Sequence, residues 1–156
     1  MATIRRVEEI QAWQKARELV REIYRTCAQG PLAKDFGFRD QLRRAAVSSM
    51  SNIAEGFARK SDREFARFLD MARGSVVEVQ SLLYVASDVH YIETHDFDRL
   101  SRLADETASL IGGLTTYLRG NNRRAAPESR TLRSAHDVVD SGLRTTDSGL
   151  SEGANR

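Results

Sequence analysis

A chain of 156 residues is long enough for one domain with its own core. Its one cysteine, Cys27, excludes an intrachain disulfide and points to a reducing cytoplasm, and no stretch reads as a secretory signal or reaches the roughly 20 apolar residues of a membrane span. The formal charge is only +2, but it is uneven: residues 1–73 hold 15 Lys/Arg against 10 Asp/Glu, and residues 74–120 hold 3 against 7.

Taken in chain order, the apolar periodicity predicts four helices and no strand. The first spans about residues 7–29, with Ile10, Trp13, Leu19, Val20, Ile23, Tyr24 and Cys27 at helical spacing, and Gly30-Pro31 stops it. LAKDFG reads as a loop. The second helix spans about 38–59. The third opens at SDRE, where Ser61 and Glu64 have capping-box spacing and Asp62 suits the helix N-terminus, and runs to about Tyr91. After IETHD, with Thr94 or Asp96 as cap, the fourth covers about 97–119 and stops at Gly120-Asn121-Asn122. Short connections between long helices predict an antiparallel up-down-up-down four-helix bundle over residues 1–120. Residues 121–156 hold few large aliphatics and no aromatic, so a flexible polar tail is expected there, with a DSGL repeat at Asp140 and Asp147.

At 100° per residue, the second helix buries Phe38, Leu42, Ala45, Ala46, Ser49, Ile53, Gly56 and Phe57. A separate polar lane carries Gln41, Arg44, Ser48, Asn52, Glu55 and Arg59. On the third helix, Phe65, Phe68, Leu69, Ala72, Val76, Val79, Leu83 and Ala86 form the core face. A second lane there carries Met71, Ser75, Glu78, Leu82 and Val89, with Gly74 beside it. Glycine inside a helix costs about 1 kcal/mol relative to alanine, so Gly56 and Gly74 imply that another backbone comes close. Two used faces per helix predict self-association through a seam of Gln41, Ser48, Asn52, Glu55, Gly56, Gly74, Ser75 and Glu78. The competing reading places both glycines in packing within one copy.

Catalysis finds little support. Ser48 or Ser75 as nucleophile needs a base, and His90, His95 and His136 show no triad-like arrangement. No Glu-x-x-His pairs, zinc-ligand spacing or phosphate loop occur, so no catalytic residue, metal or cofactor is expected. Glu55, between Arg44 and Arg59, reads as an ion-pair partner rather than an acid–base group. The candidates for binding RNA or DNA are Arg43, Arg44, Arg59, Lys60, Arg63 and Arg67. Lys60, Arg63 and Arg67 share the face opposite the core of the third helix; a solvated helix face is the plainer alternative.

The run DQLRRAAVSSMSNIAEGFARKSDREFARFLDMARGSVVEVQSLLYVA, with the Trp13 and Tyr24 pattern before it, closely resembles four-helix bundle proteins of the 23S rRNA intervening-sequence type over about residues 7–119. The resemblance implies a left-handed up-down bundle assembling as a homopentamer, with Asn52, Glu55, Gly56, Arg59, Gly74, Ser75 and Glu78 as signature positions. It also implies likeness to the accessory proteins of bacterial diversity-generating retroelements, which bind nucleic acid and a reverse transcriptase, and no established enzymatic activity. Where many relatives carry a kinking proline in the second helix, this chain has Met50, which predicts a straighter helix. The leading expectation is therefore a non-enzymatic homo-oligomer associated with nucleic acid. The alternative is an adaptor that recruits a protein such as a reverse transcriptase.

Overall fold

The computed structural model describes residues 4–125, which are all-α: four helices, α1 (Gln11–Cys27), α2 (Phe36–Phe57), α3 (Asp62–Asp88) and α4 (Thr94–Ala125), with no strand among them. Each helix packs on two others, α3 on α2 and α4, and α1 on α2 and α4. Contacts between neighbours run in opposite senses. As α3 rises from Asp70 through Gln80 to Tyr84, its partners on α4 fall from Arg119 through Asp105 to Phe97. Likewise Phe65 and Ser75 meet Phe57 and Ser48 of α2, and Lys15 and Glu22 of α1 meet Glu106 and Arg99 of α4.

The helix ends differ from the sequence pattern for local reasons. Residues 7–29 are not one helix: Ile10 is extended and buried, separating a 3-10 turn at Val7–Glu9 from α1. Gln14 Nε2 donates to the Glu8 carbonyl across that break (2.7 Å). The LAKDFG loop contains a second 3-10 turn, Pro31–Lys34, after Gly30 reverses the chain at φ +59°. Asp35 then caps α2 two residues earlier than predicted, its Oδ1 accepting from the Phe38 amide at 3.0 Å. The Ser61 cap forms as read, with Oγ accepting from Glu64 N at 3.2 Å. Gly120-Asn121-Asn122 does not stop α4, because these residues cost a helix only modestly. Helix continues through Ala125, the last described residue. The expected tail from residue 126 onward, with His136 and the DSGL repeat, lies outside the described residues.

The end of α3 fixes the opposite pole of the bundle. His90 adopts φ +57°, and the amides of His90 and Tyr91 donate to the Ser87 and Ala86 carbonyls. This is a Schellman closure with a histidine where glycine is usual. It delivers Tyr91 against α2, edge-on to Phe38 at 5.9 Å, with its hydroxyl donating to Asp35 Oδ2 at 2.9 Å.

The core is built from Leu19, Ile23, Leu32, Leu42, Ile53, Leu69, Val76, Val79, Leu83, Leu100 and Ile111. In α1 the inward positions are Ala12, Ala16, Leu19, Ile23, Thr26 and Cys27, whereas Tyr24, expected inside, is exposed. Alanines let α1 approach its neighbours closely, and the phenol stays in water. Buried hydroxyls of Ser49, Thr107 and Thr115 donate to carbonyls of their own helices at 2.7–2.8 Å, so none is left unsatisfied. Cys27 is buried, and loss of solvent pushes its thiol pKa up despite the nearby Arg43.

The Phe38 amide and then the Tyr91 hydroxyl hold the Asp35 carboxyl below the usual aspartate range. A depressed folded-state pKa contributes stability above the unfolded value of about 3.9 and loses it as pH falls through the folded value. Asp35→Asn should therefore lower stability in urea melts by a constant amount from neutral pH to about 4, and the gap should shrink below that. A gap independent of pH would remove the carboxylate charge from the account.

Candidate assembly and polyanion interface

The polar lane of α2 and the second lane of α3 meet at Ser48 and Ser75, where the chain uses them on itself. Asn52 Nδ2 donates to the Ser48 carbonyl and hydroxyl at 2.9 and 3.1 Å. Ser75 Oγ lies 2.9 Å from Ser48 Oγ and 3.2 Å from the Met71 carbonyl, so its one proton bridges to α2 or returns to α3. Ser48, Asn52 and Ser75 thus lock α2 to α3 within one chain. Leu82, read from the sequence as part of the second lane, is buried in the same chain.

The two signature glycines separate. A Cβ on Gly56 would lie 2.7 Å from Phe65 Cδ2 and 2.7 Å from Phe68 Cβ, so Gly56 serves close packing of α2 on α3. At Gly74 nothing lies within 4 Å of the point a Cβ would occupy, and the residue faces outward. Also open are Gln41, Arg44 and Glu55 on α2 and Glu78 on α3, together with Met71, Val85 and Val89, each 45–48% exposed. At 100° per residue Met71, Gly74, Glu78, Val85 and Val89 form one outward strip.

The six candidate cations do not form one cluster. Arg43 lies on the opposite flank of α2, half-buried with its guanidinium 4.7 Å from the Tyr24 ring centre. Arg59 pairs with Glu55 at 2.7 Å, as expected from the spacing, and also lies 4.7 Å from the Phe68 ring. Both members of that ion pair are well exposed, so it contributes little to stability. Arg44 does not join it. Lys60, Arg63 and Arg67 are exposed on and just before the first turns of α3, and no carboxylate of the described residues lies within 4.0 Å of them. They continue the outward strip towards the α2–α3 turn.

Sequence reading named Arg43 but not Arg17 or Arg39, and did not anticipate that all three are held on rings. Arg17 lies over Trp13 at 5.7 Å, Arg39 over Phe36 at 4.6 Å and Arg43 over Tyr24 at 4.7 Å. The i,i+4 spacing of Trp13 and Arg17 and the i,i+3 spacing of Phe36 and Arg39 were available signals; the Tyr24–Arg43 pair depends on how α1 meets α2.

The geometry offers no acid–base pair at the seam: neither Ser48 nor Ser75 hydrogen-bonds to a histidine. His95 sits at the start of α4, 3.5 Å from Asp96. Among the described residues no group of three or more His, Cys, Asp or Glu is placed to hold a metal ion, and no helix is long and apolar enough to cross a membrane. A polar groove of about 600 Å³ between α3 and α4 is spanned by the Arg119–Asp70 and Gln80–Asp105 contacts.

Comparison with known proteins gives a family and a fold. The family model described as 23S rRNA-intervening sequence protein matches residues 8–113. A crystal structure of a protein with unknown function from the S23 ribosomal protein family of Bacteroides thetaiotaomicron VPI-5482 superposes with a TM-score of 0.61 at 20% identity, covering 67% of this chain and 97% of that one. At that identity the likeness shows the fold alone. No curated protein matches the chain.

The glycines give opposite expectations. Gly56→Ala should destabilise the fold by about 1–3 kcal/mol, because the new methyl overlaps Phe65 and the Phe68 Cβ. Gly74→Ala should raise the stability of the single chain, melted at a dilution where copies are apart, by up to about 1 kcal/mol, since it adds helix propensity in open space. Thermal melts of the two variants check the pair, and equal effects would contradict the difference in their surroundings.

Proposed function

This chain belongs to the 23S rRNA-intervening sequence protein family, and we propose that it is a non-enzymatic helical module that self-associates and engages RNA or DNA. The outward face of α3 is the observation that carries this reading. Its N-terminal end presents Lys60, Arg63 and Arg67 without carboxylate partners among the described residues, and the same strip then carries uncovered Met71, Gly74, Val85 and Val89. An apolar strip on a charged helix favours burial, at about 25 cal/mol per Å² of apolar surface. A second copy is the partner we assign to it, and the proposed assembly is a homopentamer. Repeating the three cations around a ring would turn a weak contact per chain into many phosphate contacts. The family's name points towards RNA in the same direction.

In this reading Gly74 permits close approach between copies, and Glu55 and Glu78 lie at the edge of the contact. Light scattering on the full chain at micromolar concentration should report an oligomer. Val85→Glu with Met71→Glu should reduce it to monomer without unfolding it, and Glu55→Gln should weaken it. A wild-type monomer would remove self-association. In filter binding of RNA and DNA at two salt concentrations, affinity should fall with salt by about 0.9 log units per neutralised phosphate per log unit of salt on duplex DNA. Changing Lys60, Arg63 and Arg67 together to alanine should flatten that slope. No binding at low salt would remove the nucleic-acid role and leave recruitment of a protein partner.

A further inference from the structure

We infer that the flank where α1 meets α2 is a stacking platform for unpaired bases, so the nucleic acid this chain prefers is single-stranded. This rests on the nucleic-acid part of the reading above and adds a surface and a strandedness. Trp13, Arg17, Val20 and Tyr24 follow one another at steps of four, three and four along one flank of α1. Trp13 and Tyr24 are three turns apart, about 16 Å along the axis. Arg43 of α2 lies over Tyr24, and one turn earlier Arg39 lies over Phe36 at the start of α2. Each of the three rings thus carries a guanidinium within 4.6–5.7 Å of its centre.

Two features separate this flank from an ordinary set of surface pairs. Two of its rings are open, Tyr24 at 45% and Phe36 at 66% exposure, and Trp13 is half-buried, whereas Phe68, which carries Arg59 and Arg67, is buried and serves packing. Its arginines are also held mainly by rings and main chain. Arg39 Nη1 donates to the Ala33 carbonyl at 2.9 Å, its nearest carboxylate is Asp40 at 3.9 Å, and the buried Nε atoms of Arg39 and Arg43 have no hydrogen-bond partner. The two buried Nε atoms are out of a phosphate's reach, but each guanidinium has further Nη donors for phosphate oxygens, and exposed ring faces and guanidinium planes accept a base by stacking. Bases inside a duplex have no free face to offer. The outward strip of α3 has cations but no open ring, so it holds phosphates without distinguishing the two forms.

The full chain would be titrated with labelled oligo-U, oligo-dT and a duplex, each of about 15 nucleotides, a length within known single-strand site sizes. Trp13 is the sole tryptophan, so its emission reports the platform directly. Single strands should bind more tightly than duplex and quench Trp13. Tyr24→Ala and Phe36→Ala should each weaken single-strand binding roughly 5- to 100-fold with the salt slope unchanged, because they remove stacking and no charge. Arg39→Gln should lower the slope. Both rings are exposed, and melts of the variants confirm that the fold persists. Equal affinity for duplex and single strand, an unchanged Trp13 signal, or silent aromatic variants would overturn the platform. If Lys60, Arg63 and Arg67→Ala still abolished binding in that case, the general reading would stand. No binding of any probe at low salt would remove both.

Discussion

The close approach of α2 and α3 at Gly56 sets the arrangement on which the outer surface depends. With Phe65 and Phe68 at 2.7 Å from where a side chain would begin, only a hydrogen fits there, and the two helices come together along their length. Ser48, Asn52 and Ser75 then satisfy one another in the narrow seam, where larger side chains would hold the helices apart. Every inward position of α3 is consequently spent on α2, α4 and the core. What remains faces outward: a strip that starts basic, turns apolar and small, and ends at Val89.

Charge follows a less tidy pattern than the sequence halves imply. If the basic and acidic halves simply neutralised each other, cross-helix pairs would join cations before residue 74 to carboxylates after it. Lys15–Glu106 does so, but Glu22–Arg99 and Asp70–Arg119 run the other way. Arg99 and Arg119 of α4 are thus held by carboxylates of α1 and α3, whereas Arg102 bonds the Asp98 carbonyl of its own helix. Some early cations are paired, as Lys15, Arg25 and Arg59 are, while others lie against rings, as Arg17, Arg39 and Arg43 do, or face solvent, as Lys60, Arg63 and Arg67 do. That surplus is the charge on which the proposed binding of nucleic acid rests.

The helices and most of their inward faces were legible because apolar residues recur at helical spacing, and the Ser61 cap was legible because its chemistry is local. The faces of α2 and α3 emerged almost residue for residue. What escaped was decided by neighbours. Tyr24 has the periodicity of a core residue but sits where an arginine from α2 can cover it. Ala12 and Ala16 look ordinary in sequence yet set the spacing of α1. Gly56 and Gly74 are identical in sequence terms and opposite in surroundings. The stop at Gly120 failed because its penalty is small beside the cooperativity of a long helix. Of the residues expected at an assembly seam, Ser48, Asn52, Gly56 and Ser75 fasten the chain to itself.

The lone thiol limits how one folded chain can be joined to another. Cys27 lies under α2 with its ionisation suppressed by loss of solvent, so it is a poor nucleophile towards oxidants. Two molecules therefore cannot be covalently stapled through sulfur without first coming apart. Whatever joins one folded chain to another, a disulfide through Cys27 is not part of it.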